Sequence, residues 1–251
     1  YIGNVGSMGA AAGAKFLNPM HLYGGSIQVV QDIDVTSGAG LLHLVARLGD
    51  IAVNGSVNAS SPTNATFSER CATLLFQAAG SITINRAVYA GDRISLVAGT
   101  DGSGSVFVDG NGSNSGLLAT VATSGSGAYS RRIELVAGSA SGDVVLNGSA
   151  LTANASTGAA SSVVLCANGG GITQTGGLIT ASNLAVWAKN DVVLTTSVDT
   201  FASATLEGAI LAGGSGALAL PVVNPTTGAV TGYTVSGGGA IFRCWKALAA
   251  G

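Results

Sequence analysis

The sequence predicts an all-β chain folded as a right-handed parallel β-helix, a solenoid of about seven coils with short terminal segments. Two observations in the residues predict a solenoid of parallel strands: short apolar beats with a period of two, and their recurrence in the same order along the chain. Composition points the same way. Gly supplies 39 of 251 residues and charged residues only 9%, far below the roughly 25% usual in soluble domains. A hydrophobic content of 47% argues against disorder, which combines low hydrophobicity with high net charge.

The repeat starts at a small or turn pair followed by Ile or Val: GSI at 25, GDI at 49, GSI at 80, GSV at 104, GDV at 142, GGI at 170 and NDV at 190. The β-branched residues of these starts are Ile27, Ile51, Ile82, Val106, Val144, Ile172 and Val192. Two places on stand Val29, Val53, Ile84, Val108, Leu146, Gln174 and Leu194, with Gln174 the one break in an apolar column. This first beat reads as a strand with one buried face. A second beat runs through Leu42, Leu44, Ala46; Leu74, Phe76, Ala78; Ile94, Leu96, Ala98; Ile133, Leu135, Ala137; Val163, Leu165, Ala167; and Leu184, Val186, Ala188. A weaker third beat is expected six residues after each start, at Ile33, Val57, Val88, Gly112, Ala150, Leu178 and Val198.

Three short strands joined by Gly, Ser, Asn and Asp corners make one coil. A single coil can neither pair its backbone nor enclose its inward side chains, so each needs a neighbour. The starts are separated by 24, 31, 24, 38, 28 and 20 residues. The excess is expected at one corner, in the insertions 61–70, 113–132 and 156–162, where loops on one side of a solenoid meet partners. The organisation expected is an N-terminal cap or contact arm over 1–24, the parallel β-helix over 25–212, and a C-terminal β cap or contact segment over 213–251. The last reads as strand, turn, strand through GALALPVV, NPTTG and AVTGYTV.

Val45, Val97, Val136, Cys166 and Trp187 each precede the Ala that ends the second beat. Strict alternation turns them outward as an apolar stripe, and a bend at the corner turns them inward; the bend is the expectation adopted.

Units such as GSITINRAVYAGDRISLVAG and GGITQTGGLITASNLAVWAKNDVVL resemble the repeats of the filamentous haemagglutinin family of secreted bacterial exoproteins. The resemblance covers about residues 25–212. It implies a right-handed parallel β-helix, export to the cell surface or extracellular space, and adhesive or structural work there. LNPMHL, at 17–22, is a poor counterpart of the Asn-Pro-Asn-Gly motifs of that family's secretion domain.

The residues exclude several function classes. A net charge of −2 with ten basic residues spread thinly offers no basic stripe for nucleic acid or an anionic membrane. Mean hydropathy is +0.50, yet no run approaches the roughly 18 apolar residues of a transmembrane helix. The beats are also too short for a membrane barrel, whose strands need about ten residues.

No catalytic, cofactor or metal site is expected. Cys71, Cys166 and Cys244 lack C-x-x-C spacing and have only His21 and His43 as further soft ligands. Asp32 and Asp34 share a strand face without an evident basic partner, and Asp50, Asp143 and Asp191 recur at one corner, where capping suits them. Asp109, Asn111 and Ser113 open a calcium-like loop, but Asn114 stands at its sixth place and Thr120 at its twelfth. Asn54, Asn58, Asn64, Asn111, Asn147 and Asn154 begin Asn-x-Ser/Thr triplets.

The expected function is therefore a non-enzymatic extracellular structural protein, a subunit or module of a self-associating surface fibre or adhesin. The alternative is a polysaccharide-degrading β-helix enzyme, a lyase or hydrolase, which would need converging carboxylates. The expected partner is a second copy stacked end to end, beside a cell-surface or glycan ligand. The terminal segments carry aromatics, Tyr1, Phe16, Tyr23, Tyr233, Phe242 and Trp245, and few charges, Lys15, Arg243 and Lys246.

Overall fold

A computed structural model describes residues 14–15, 20–34, 41–59, 73–91, 93–109, 117–120, 131–153, 161–175, 179–181, 183–194, 203–212, 217–223, 230–235 and 240–241. Among these the chain is all-β, with no helix and hence none able to cross a membrane. Its strands form parallel sheets in which each repeat pairs with the next.

The first beats form one row, running from Ile27–Val29 through Ile51–Val53, Ile82–Ile84, Val106–Asp109 and Val144–Asn147 to Ile172–Thr175. The second beats form another: Met20–Gly24, Leu41–Ala46, Thr73–Ala78, Arg93–Val97, Arg131–Ala137 and Ser161–Ala167. Both rows meet at the long strand Asn183–Leu194, which carries the last of both beats and pairs in turn with Ser203–Ala212. The third beats make a separate seven-stranded sheet.

Register follows the apolar pattern, because a slip of one residue would turn every inward side chain out. Ile51, Ile82, Val106, Val144 and Ile172 stand in register, as do Leu44, Phe76, Leu96, Leu135 and Leu165. All ten are wholly buried. Gln174 shares that core, fully buried beside Leu146 in register.

The third sheet departs from a fixed spacing. Ile33, Val57 and Val88 stand where expected, but the next positions are Leu118, Leu151 and Ile179 rather than Gly112, Ala150 and Leu178. The corner between first and third beats has lengthened in these units, and at Leu151 and Ile179 the register places a wholly buried aliphatic side chain. Strand Leu117–Thr120 thus occupies part of the supposed insertion 113–132. Val198, the insertion 61–70 and residues 156–160 of the insertion 156–162 lie outside the described residues, and 161–162 open strand Ser161–Ala167.

The stack also begins before residue 25. Ala14–Lys15 pairs with Ile33–Asp34, and Met20–Gly24 pairs with Leu41–Ala46. Beyond the parallel rows, Ala217–Val223 and Val230–Val235 pair antiparallel, and Ala217–Val223 also pairs parallel with Ala240–Ile241.

The corners explain the recurrent Gly-Ser and Gly-Asp. A Cβ at Gly104 would press on the carbonyl oxygen of Gly80, and one at Gly142 on that of Gly104; at the turn before, a Cβ at Gly138 would lie 2.7 Å from the carbonyl oxygen of Gly102. Only glycine admits a neighbouring backbone so closely, and Gly99 also needs it for its φ of 66°. The following Ser or Asp then bonds across units. Asp50 Oδ1 accepts the N–H of Ser81 (2.6 Å), Ser81 Oγ that of Ser105 (3.1 Å), Ser105 Oγ that of Asp143 (2.9 Å), and Asp143 Oδ1 that of Gly171 (2.7 Å). Backbone donors that turn out of the sheet at the corner are thereby satisfied.

Candidate functional site

The outer face of the second-beat sheet gathers the chemically distinctive side chains. Outward positions form rows across the strands. One row is His21, His43, Leu75, Ser95, Glu134 and Val164, and the next is Tyr23, Val45, Gln77, Val97, Val136, Cys166 and Trp187.

Val45, Val97, Val136, Cys166 and Trp187 consequently face outward, which corrects the expectation of a bend. Each is half-buried, while its preceding neighbour, Leu44, Leu96, Leu135, Leu165 or Val186, is almost wholly enclosed. Alternation continues past them, since the next residue in each case, Ala46, Ala98, Ala137, Ala167 or Ala188, is again buried. The outward residues lose part of their exposure to register neighbours in adjacent strands, which lie about 4.8 Å away.

At the N-terminal edge of this face three side chains form a hydrogen-bonded chain. His43 Nε2 lies 2.9 Å from Gln77 Oε1, and His43 Nδ1 lies 3.1 Å from His21 Nδ1. The amide oxygen can only accept, so His43 donates through Nε2–H and keeps its lone pair at Nδ1. His21 then donates through Nδ1–H. Tyr23 stacks beside His21, with ring centroids 6.5 Å apart and planes 9° from parallel, and meets His43 edge-on. Arg47 lies 4.9 Å from the Tyr23 ring centroid, a cation–π contact.

Mid-face, Glu134 bridges two cations, accepting from Arg93 and from Arg132, the latter at 2.7 Å. Ser95 Oγ donates to Glu134 Oε2 at 3.3 Å. Burial alone would raise the Glu134 carboxyl, but hydrogen bonds and charge from Arg93 and Arg132 outweigh it and hold the group below the ordinary carboxylate range. Burial pushes the Cys166 thiol up, aided by the Glu134 charge, and Cys166 Sγ donates to Asn168 Oδ1 at 3.3 Å. Cys166 is a free thiol; Cys71 and Cys244 lie outside the described residues.

The remaining described carboxylates are dispersed. Asp32 sits at a corner, where its Oδ1 accepts the N–H of Ser56 at 2.7 Å, and the side chain of Asp34 is not among those described. Asp50 and Asp143 cap corners as expected, whereas Asp191 lies in a continuous strand and its side chain is outside the description. Asp109 accepts from Asn147 Nδ2 at 3.2 Å, and Asn111 and Ser113 lie outside the described residues. Among the described residues no three His, Cys, Asp or Glu side chains are grouped to hold a metal.

Two of the Asn-x-Ser triplets begin with ladder residues. Asn54 Oδ1 accepts from Asn85 Nδ2 at 2.8 Å, and Asn147, besides donating to Asp109, accepts from Thr175 Oγ1 at 2.9 Å. The side chains of Asn58, Asn64, Asn111 and Asn154 are outside the description.

Sequence reading missed the His21–His43–Gln77 chain because its members lie 22 and 34 residues apart and only register joins them. The available signal was a second beat beginning at Met20, before the first recognised start. Comparison with protein-family models, curated proteins and solved structures finds no match to this chain.

Proposed function

We propose that the chain is a right-handed parallel β-helix of about seven coils, a non-enzymatic structural module of an extracellular, self-associating surface fibre or adhesin, similar to the filamentous haemagglutinin exoproteins. The handedness rests on the strong preference of parallel crossover connections for the right-handed form. The reading is carried by one observation, the state of the first described unit. Among the described residues, strands Ala14–Lys15, Met20–Gly24 and Ile27–Val29 each pair on one side only. Their inward residues Leu22, Ile27 and Val29 keep 4–8% of their surface, whereas equivalent residues in the middle units keep none. Such an edge can accept another strand row.

The placement of the described acids supports the non-enzymatic reading. The described acids Asp32, Asp50 and Asp143 accept corner backbone donors, and Glu134 is enclosed by two arginines. A lyase or hydrolase uses carboxylates that converge on a substrate. A head-to-tail contact that does not close on itself produces a filament.

Sizing chromatography with light scattering across a concentration series, followed by negative-stain microscopy and fibre diffraction, tests the proposal. The expected result is concentration-dependent growth into rods with a meridional repeat of about 4.8 Å, the spacing of strands stacked along the axis. A chain that stays monomeric at high concentration would refute self-association.

A further inference from the structure

We infer that His21 and His43 form a chelating site for a late first-row divalent cation of the Zn²⁺ type, at the N-terminal edge of the outer face. This is independent of the fibre reading. The two histidines are register partners on adjacent parallel strands, Met20–Gly24 and Leu41–Ala46, so the backbone itself holds their Cα atoms side by side. Their Nδ1 atoms are 3.1 Å apart. Two nitrogens on a tetrahedral zinc, with bonds of about 2.0–2.1 Å, stand about 3.3 Å apart. The pair is therefore already spaced as one edge of a zinc tetrahedron, with two positions left for water.

The surroundings prepare the donors as well as their spacing. A ligating histidine ordinarily donates its other ring N–H to an oxygen acceptor, which fixes the tautomer and makes the ligand more basic. Gln77 Oε1 does this for His43, accepting from Nε2–H at 2.9 Å and leaving the Nδ1 lone pair directed at His21. His21 is exposed, and the rings meet at 74° with centroids 5.2 Å apart. The two nitrogens face each other across a shared proton. The cation takes the place of that proton: His21 loses Nδ1–H and takes up a proton at its Nε2, so each neutral ring keeps one proton and none is released overall. Tetrahedral geometry then asks each ring to swing by roughly 35° from the nitrogen–nitrogen line, a small rotation for a surface side chain. Tyr23, beside His21 and edge-on to His43, confines both rings to the outer face.

Zinc chloride is titrated into the full chain by isothermal calorimetry, with thermal unfolding followed in the same samples. The expected result is one zinc per chain and a rise in melting temperature, since a ligand of the folded form stabilises it. His21→Ala and His43→Ala are each expected to weaken binding at least tenfold and to remove the temperature rise. Gln77→Ala is expected to weaken binding about tenfold, and Gln77→Glu, which places a carboxylate on His43 Nε2–H, to strengthen it. Circular dichroism matching the parent verifies that the variants fold. Zinc uptake unchanged in both histidine variants, as thiol binding would give, overturns the site; so does a parent chain that takes up no zinc.

Discussion

The alternation of strand Arg93–Val97 can be tested with two neighbouring residues of similar chemistry. Leu96 is fully buried, in register between Phe76 on one side and Leu135 on the other. Val97, one residue on, is half-buried on the outer face between Gln77 and Val136. Leu96→Ala removes a wholly enclosed isobutyl group and leaves a cavity between two strands held in place by their own ladders, which costs about 2–5 kcal/mol. Val97→Ala removes two methyl groups already half in water, a loss of about 1 kcal/mol or less. For a chain of this length about 1 kcal/mol shifts the melting temperature by roughly 2–4 °C. Leu96→Ala should therefore melt roughly 4–20 °C below the parent, and Val97→Ala no more than about 4 °C below it. Melting followed by far-ultraviolet circular dichroism reads both. Leu96→Met, which conserves volume, should lose less than about 1.5 kcal/mol. If Val97→Ala costs as much as Leu96→Ala, the inward and outward assignments of this strand are wrong.

Further outcomes follow from the corners and the outer face. Gly138→Ala should lower the melting temperature, because its Cβ would press on the Gly102 carbonyl, and a variant that melts like the parent would contradict the close corner packing. Asp143→Ala should cost about 1 kcal/mol through loss of the bond from the Gly171 N–H, whereas Asp143→Ser, the residue at the same corner in other units, should retain most of it by equilibrium unfolding in urea. Since the folded Glu134 carboxyl is held below its ordinary range, its contribution is present above the unfolded glutamate pKa and fades as pH falls through the lower folded value. The melting-temperature gap between parent and Glu134→Gln should therefore narrow on acidification, and a gap that widens would be contrary. Cys166, with its thiol pushed up by burial, should alkylate more slowly at neutral pH than a free cysteine in a peptide, as mass spectrometry of the labelled site can determine.

The first and second rows were legible in the sequence because a strand with one enclosed face writes its burial in alternate letters. Ile82 and Ile84, or Leu135 and Ala137, can be assigned inward without any knowledge of their neighbours. The third row was legible only where the connecting corner kept its length. The register falls at Leu118, Leu151 and Ile179 rather than the anticipated Gly112, Ala150 and Leu178, and at Leu151 and Ile179 this is because corner length is nearly free to vary while the buried aliphatic is not. The corner role of Asp50 and Asp143 was readable from residue type, but their partners were not, since Ser81 and Gly171 lie 31 and 28 residues away. The bend expected at Val45, Val97 and Trp187 is absent because the alternation of the strand holds through them to the enclosed Ala46, Ala98 and Ala188. The histidine pair was hidden by register, which a linear reading recovers only after every strand has been placed, and His21 lay in a segment assigned to a cap.

The side-chain ladder at the Gly-Ser and Gly-Asp corners has a direction. In every step from Asp50 to Gly171 the acceptor belongs to the earlier unit and the backbone donor to the later one. The side-chain acceptors end at Asp143, because Gly171 can only donate its backbone N–H. Parallel pairing imposes the same polarity on the strands, because a head-to-head junction would have to pair them antiparallel. Strand direction thus favours a polar, head-to-tail arrangement for the proposed filament, in which the contact between subunits repeats the contact between units.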